Sequence, residues 1–186
     1  MHCNINNKTN LDLSALSPVI DKFMPFASKR MGFKTEPSVV FQSDPENGAR
    51  VFGKTAYYDP ENKTITIYVD NRHPKDMLRS MSHELVHHSQ CERGEFDKIG
   101  YTGPGYAQNN PHLRNMEREA YEIGNMVFRD FEDIHKKYLA ENKLYTGKKD
   151  YMNNEEFIKK VSKKEQEKTF NKLLKGFTKS KERKNG

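Results

Sequence analysis

The chain has 186 residues, a formal net charge of +6 and only two cysteines, Cys3 and Cys91. Two cysteines are too few for a disulfide framework, and a mean hydropathy of -1.00 with no apolar stretch near ~20 residues argues against a membrane span. The first ten residues lack the apolar region of a secretory signal. We therefore expect a soluble protein in a reducing, cytoplasmic compartment, which is the host cytoplasm if the protein is viral.

The positive charge is concentrated toward the C-terminal end of the sequence. Residues 148–186 contain 13 Lys or Arg and 6 Asp or Glu, whereas residues 1–147 contain 19 and 20. The longer segment is nearly neutral, which argues against a basic nucleic-acid-binding face on it. We predict one domain over residues 1–147 and a basic helical tail, partly disordered, over residues 148–186.

The first half of the predicted domain reads as one helix followed by a small sheet. Apolar residues at helical spacing predict a helix from Ser14 to Lys29, and Pro25 is expected to end or kink it. The residues from Asp59 to Lys63 have the composition of a hairpin loop. We expect a mostly antiparallel sheet, because this loop joins the last two of three predicted strands. These strands are Ser38–Gln42, Val51–Tyr58 and Thr64–Asp70.

Two longer helices follow the predicted strands. The first is expected to run from Pro74 to about Cys91 or Glu92, since proline suits a first helical turn and the apolar residues recur at helical spacing. Residues 94–111 are rich in Gly, Pro, Asn and Tyr, which predicts a functional loop that borders or covers a cleft. The second helix is expected to begin near Leu113 and to reach as far as Leu144. The predicted fold is α+β, with the sheet packed on both helices.

The sequence His83-Glu84-Leu85-Val86-His87 carries the chemistry of the chain. On a helix, residues four apart lie on one face, so His83 and His87 can bind one metal ion while Glu84 stands beside it. His88 lies about 100° around the helix from His87 and is predicted to be a supporting or surface residue. The motif therefore predicts a site for metal-assisted hydrolysis.

A catalytic zinc site takes three protein ligands, so a third ligand is needed. Metzincins place glycine and histidine where this chain has Gln90 and Arg93, which excludes their arrangement. A carboxylate from the later helix remains, and that helix offers Glu117 and Glu119, which point about 200° apart. We also expect two small residues, Ala120 and Gly124, to let this helix approach the histidine helix closely.

Over residues 14–140, the HELVH motif followed by a Glu-x-x-Ala helix resembles zincin metallopeptidases of gluzincin type, including the minimal domains of regulatory, toxin and phage proteins. The resemblance implies a zinc-dependent peptidase in which His83, His87 and Glu117 bind Zn²⁺ and Glu84 is the general base for a metal-activated water. It leaves Glu119 as the rival ligand. The chain departs from the pattern at Tyr121, where many members have Asp or Asn.

The resemblance also implies a donor for the oxyanion and an edge strand that binds a protein or peptide substrate. Tyr121 is the catalytic candidate for the donor, with Tyr101, Tyr106 and His112 as alternatives. For the edge strand we expect Thr64–Asp70, whose substrate-binding residues would be Ile65, Ile67 and Tyr68.

A second hypothesis assigns the chain to another class of protein. In this alternative it is a non-enzymatic, zinc-containing binding or structural protein that contacts nucleic acid or a partner through residues 148–186. Contact with nucleic acid is possible but not favoured, and no membrane contact is expected.

Overall fold

The computed structural model of the protein describes residues 3–50, 53–98 and 110–141. Within these ranges the fold is α+β, as predicted, with four α-helices, one short 3-10 helix and a mixed four-stranded sheet. None of these helices is long and apolar enough to cross a membrane. The elements are β1 (Ile5–Asn7), α1 (Ser17–Met31), β2 (Ser38–Gln42), α2 (Pro45–Gly48), β3 (Ala56–Asp59), β4 (Thr64–Tyr68), α3 (Pro74–Glu92), a 3-10 helix (Phe96–Lys98) and α4 (Pro111–Glu141).

The sheet has the strand order β1-β2-β4-β3. Only β3 and β4 pair in antiparallel fashion, whereas β1 with β2 and β2 with β4 are parallel. The prediction of a mostly antiparallel sheet is therefore wrong. The chain leaves β2, enters β3 at the outer side of the sheet and returns as β4 between them, so β2 and β4 run in the same direction. Strand β1 was not predicted because its sequence, Ile5-Asn6-Asn7, is short and mostly polar.

The prediction that Thr64–Asp70 forms the edge strand is also wrong. β4 ends at Tyr68 and has a strand on each side, and Ile65 and Ile67 are buried in the hydrophobic core. The edge strands of the described sheet are instead β1 and β3, and β3 pairs with β4 alone. The edge on the side of β4 is therefore β3, one strand further out than predicted.

Helix α1 continues through its internal proline. It runs from Ser17 to Met31, so it does not end at Pro25. Pro25 lies on the exposed side of the helix, whereas Phe23 and Ala27 beside it are completely buried. Burial of this apolar face stabilises the helix enough to offset the hydrogen bond that proline cannot donate.

The core lies between the sheet and the three long helices. Helix α3 packs against β3 and β4, and both α1 and α4 pack against α3. Aromatic rings join α1 to α4: the ring centroid of Phe23 lies 5.8 Å from that of Phe128 and 4.9 Å from that of Phe131, both in edge-on contact. These contacts fix the position of α4 relative to the rest of the fold.

Helix α4 begins two residues before the predicted start and contains one irregular residue. His135 has non-helical angles of φ -107° and ψ 16°, and its Nδ1 lies 3.0 Å from the carbonyl oxygen of Phe131. A side chain that bonds the carbonyl four residues earlier competes with the helical hydrogen bond, which accounts for the kink. The predicted end at Leu144, the loop residues Tyr101 and Tyr106, and the predicted tail 148–186 lie outside the described residues.

The C-terminal end of α3 is tied to the segment before β2 by Glu92. Its carboxylate accepts hydrogen bonds from the backbone N–H of Lys34 at 2.7 Å, from the backbone N–H of Thr35 at 2.9 Å and from the Thr35 hydroxyl. Burial alone would raise the pKa of Glu92, but these hydrogen bonds and the nearby His88 lower it to about 2. The ionised carboxylate is therefore a stabilising group.

We expect Glu92→Gln to lower the free energy of unfolding by about 2 kcal/mol at pH 7, because three hydrogen bonds lose a charged acceptor. The folded pKa is depressed, so this stability is complete above the ordinary value of 4.5 and is lost as pH falls toward 2. Urea unfolding of both proteins at pH 7, 5 and 3 should show the stabilities converging at low pH. The exposed Glu122→Gln is the control, and a difference that does not change with pH would contradict this assignment.

Candidate metal and catalytic site

Helix α3 brings the two motif histidines together. Because His83 and His87 are one turn apart, their imidazoles lie on one face, and their Nε2 atoms are 3.2 Å apart. His87 is the more buried of the two, with 12% of its side chain exposed against 19% for His83. Both rings lie at the wall of a cleft. Their Nε2 atoms are the ones that face the other residues of the site.

Helix α4 supplies the third donor. The two carboxylate oxygens of Glu117 lie 3.4 Å from His83 Nε2 and 3.6 Å from His87 Nε2. Two ligand atoms about 2.05 Å from a tetrahedral metal are about 3.3 Å apart, so these separations match the spacing that one ion requires. Among the described residues, His83, His87 and Glu117 are the one group of three such side chains that could hold a metal ion.

Glu119 lies on another face of α4 and contacts Arg93 and Gln90 instead of the two imidazoles. Its carboxylate accepts two hydrogen bonds from Arg93 Nη2, at 2.8 and 3.0 Å, and one from Gln90 Nε2 at 3.0 Å. The rotation between the two glutamates explains the difference, because residues two apart on a helix face nearly opposite directions. The structure thus brings Glu117, and not its rival, to the two imidazoles.

Small residues allow α4 to come this close to α3. A Cβ atom at Gly124 would lie 3.0 Å from the Cα of His83 and 3.2 Å from the carbonyl oxygen of Ser82. The Ser82 hydroxyl donates a buried hydrogen bond of 2.7 Å to the carbonyl of Gly124 itself. Ala120, one turn earlier, is completely buried. The expected close approach at positions 120 and 124 is confirmed.

Glu84 is buried beside the triad and lines the same cleft. Burial raises its pKa to about 7, and the negative charge of Glu117 also raises it, while His83 and a backbone hydrogen bond with Tyr58 lower it. A carboxyl group with this pKa can take up and release a proton near neutral pH.

Burial acts in the opposite direction on the imidazole of His87. It lowers the pKa of His87, which favours the neutral ring that metal ligands require. The pKa of Glu117 is lowered by its hydrogen bond with His83, which favours the carboxylate. Burial thus favours a neutral nitrogen donor at His87, and the hydrogen bond with His83 favours a negative oxygen donor at Glu117, which suits a divalent cation.

The triad opens into a cleft of about 1290 Å³. One wall is formed by residues 53–58 and by the start of the following loop, the other by α4 residues from Leu113 to Asn125. The free side of β3 therefore borders the site.

The predicted substrate residues are not part of this cleft. Ile65 and Ile67 are 0% and 1% exposed, and neither they nor Tyr68 line it. The nearest ring contact of Tyr68 is with Tyr57, at a centroid distance of 6.3 Å. A role for these three side chains in binding substrate has no support from their positions.

Of the predicted oxyanion donors, Tyr121 is the one that the structure brings to the site. It is 63% exposed, lines the cleft, and its ring centroid lies 4.6 Å from that of His83. His112 Nε2 lies 3.1 Å from the carbonyl oxygen of Glu95, and His112 does not line the cleft. Tyr101 and Tyr106 lie outside the described residues.

Sequence reasoning missed the role of Gln90, and it predicted His88 as a supporting or surface residue without identifying its partners. Gln90 Oε1 lies 2.8 Å from His87 Nδ1. His88 is completely buried; its Nε2 lies 2.7 Å from the carbonyl oxygen of Thr35 and its Nδ1 lies 3.0 Å from the hydroxyl of Tyr58. Spacing offered one signal, because Gln90 lies three residues after His87 on the same helix. The partners of His88 come from other elements and leave no local signal.

Comparisons of the chain with protein-family models, with curated proteins and with solved structures give no match. The function proposed for the chain therefore depends on its residues and on the geometry of the site.

We expect Gly124→Ala to destabilise the protein by about 1 to 3 kcal/mol, although alanine has the higher helix propensity. The added methyl group meets backbone atoms of α3, which cannot rotate away, so the helices must separate and the distance between Glu117 and His83 must grow. Thermal unfolding and zinc titration check both effects. Met126→Ala, at an exposed position of the same helix, is the control; equal stability of the Gly124→Ala variant and wild type would contradict the close contact.

Proposed function

We propose that this protein is a zinc-dependent peptidase of gluzincin type. The observation that carries the proposal is the convergence of His83, His87 and Glu117, with donor atoms 3.2 to 3.6 Å apart, next to a buried Glu84 in an open cleft. Two histidines and one glutamate are a donor set of catalytic zinc sites. When bound there, zinc would act as a Lewis acid that lowers the pKa of water and polarises a carbonyl group.

Glu84 has the position and the proton affinity of a general base. It lies beside the triad without belonging to it, and burial keeps the pKa of its carboxyl group near neutral. In the proposed reaction Glu84 accepts a proton from the attacking water and then delivers it to the amine that leaves. The hydrogen bond from the backbone of Tyr58 ties the carboxylate to β3.

The open side of β3 supports a peptide as the substrate. The N–H of Tyr68 bonds the carbonyl of Thr55, and Tyr57 lies opposite Thr66 in the antiparallel register. Because hydrogen bonding alternates along an antiparallel pair, the backbone groups of Ala56 and Tyr58 face away from β4. Because the Tyr58 N–H is bonded to Glu84, an extended peptide can pair with the Tyr58 carbonyl and with both backbone groups of Ala56 and lie across the triad. The backbone then provides affinity for many sequences.

Tyr121 is proposed to stabilise the oxyanion of the tetrahedral intermediate. Its ring packs edge-on against His83, and its exposure at the cleft leaves the hydroxyl able to approach a bound carbonyl group. The order of elements agrees with the resemblance: the sheet is followed by α3 with HELVH and then by α4 with Glu117.

We expect Glu84→Gln to bind about one zinc per chain, as wild type does, and to cleave peptides roughly 10² to 10⁴ times more slowly. The amide keeps the size of the side chain but cannot accept the proton. Zinc content is measured by atomic absorption, and cleavage with a proteome-derived peptide library analysed by mass spectrometry. The matched control is Glu122→Gln. A zinc-containing wild type that cleaves no peptide would instead favour a structural role for the metal.

The two glutamates of α4 provide a second test. We expect Glu117→Ala to lose zinc binding, because it removes one of three donors, whereas Glu119→Ala should retain the metal at moderately lower affinity. Competition with a chromophoric chelator gives both affinities. If Glu119→Ala is the variant that loses the metal, the proposed ligand set is wrong.

A further inference from the structure

Gln90 has a buried side chain whose two ends face chemically different partners. It is completely buried on α3, three residues after His87. Its Nε2 lies 2.9 Å from the carbonyl oxygen of Met116 and 3.0 Å from a carboxylate oxygen of Glu119, while its Oε1 lies 2.8 Å from His87 Nδ1. All the polar atoms of this amide have partners.

These partners determine which way the amide faces. A peptide carbonyl and a carboxylate are acceptors only, so the NH₂ group of Gln90 must be the end that faces Met116 and Glu119. The oxygen of the amide then faces His87. An oxygen at 2.8 Å from Nδ1 accepts a hydrogen bond, so the proton of the neutral imidazole is on Nδ1 and the lone pair is on Nε2.

We propose that Gln90 is a positioning residue that holds His87 in the Nδ1–H tautomer, with Nε2 unprotonated and aimed at the metal site. The metal part of this inference rests on the proposed function, whereas the tautomer is a property of the chain itself. A residue that accepts a hydrogen bond from the second ring nitrogen of a metal-binding histidine fixes the tautomer and the orientation of the ring. It thereby also affects the affinity of the ring for the metal.

Glu119 and Arg93 fix Gln90 in turn. Arg93 Nη2 contacts both carboxylate oxygens of Glu119, at 2.8 and 3.0 Å, and Arg93 Nε contacts Glu95 at 2.7 Å. The arginine offsets the negative charge beside Gln90 and holds the carboxylate where it accepts the amide proton. The line of contacts runs from Arg93 through Glu119 and Gln90 to His87, and joins α4 to α3 behind the triad.

The test is the variant Gln90→Met in the full chain, which replaces the amide by an apolar side chain of similar length. Long-range ¹H–¹⁵N NMR of the metal-free protein at pH 8 reports which nitrogen of His87 carries the proton. We expect the Nδ1–H form in wild type and a mixture with the Nε2–H form in the variant. Zinc affinity should fall by roughly 10- to 100-fold.

A control separates positioning from simple destabilisation. Ser28→Ala is the control, because it removes a half-buried hydrogen bond of 2.7 Å to the carbonyl of Phe33 without touching the site. It should lower stability and leave the tautomer unchanged.

The outcomes distinguish this inference from the proposed function. Persistence of the pure Nδ1–H form in Gln90→Met, or a zinc affinity no lower than that of Ser28→Ala, would overturn the positioning role. An Nε2–H signal in wild type would overturn it as well. If the tautomer responds as expected but wild type binds no zinc, the positioning role stands and the proposed peptidase fails.

Discussion

The site depends on one steric constraint, the contact between the backbones of α3 and α4 at Gly124. The two imidazoles and the Glu117 carboxylate belong to different helices, so the separation of these helices sets every distance within the triad. A methyl group at Gly124 would lie only 3.0 Å from the Cα of His83, and the Ser82 hydroxyl bonds the glycine carbonyl at 2.7 Å. The aromatic contacts between α1 and α4 hold the helix against this point.

Burial then gives similar groups different roles. Glu84 and Glu117 both lie at the triad, but burial raises the pKa of Glu84, whereas a hydrogen bond with His83 lowers that of Glu117. One carboxyl group is thereby suited to proton transfer and the other to binding a cation. Glu84 also contacts the backbone of Tyr58, whose hydroxyl bonds the buried His88. The proton acceptor and the strand proposed to bind substrate are thus held by connected contacts.

The sequence predicted what local periodicity encodes. The bounds of α3, the shared face of His83 and His87 and the small residues of α4 all follow from helical spacing, and the β3–β4 hairpin follows from the composition of its loop. Strand order does not follow, because nothing in β2 or β4 records which strand inserts between others. For the same reason the edge was placed at Ile65 and Ile67, whose alternation with polar residues is typical of a half-exposed strand. The contacts of Gln90 with α4 and the burial of His88 were not predicted because the partners of these side chains are distant in sequence.

The outer side of β3 has a further consequence for association between copies of the chain. Unpaired strand edges recruit neighbouring chains and can seed aggregates. β3 has only four residues and is followed by Pro60. Proline offers no N–H, so pairing with an added strand cannot continue at that position. A short edge of this kind accommodates one passing peptide while discouraging the stacking of many identical molecules.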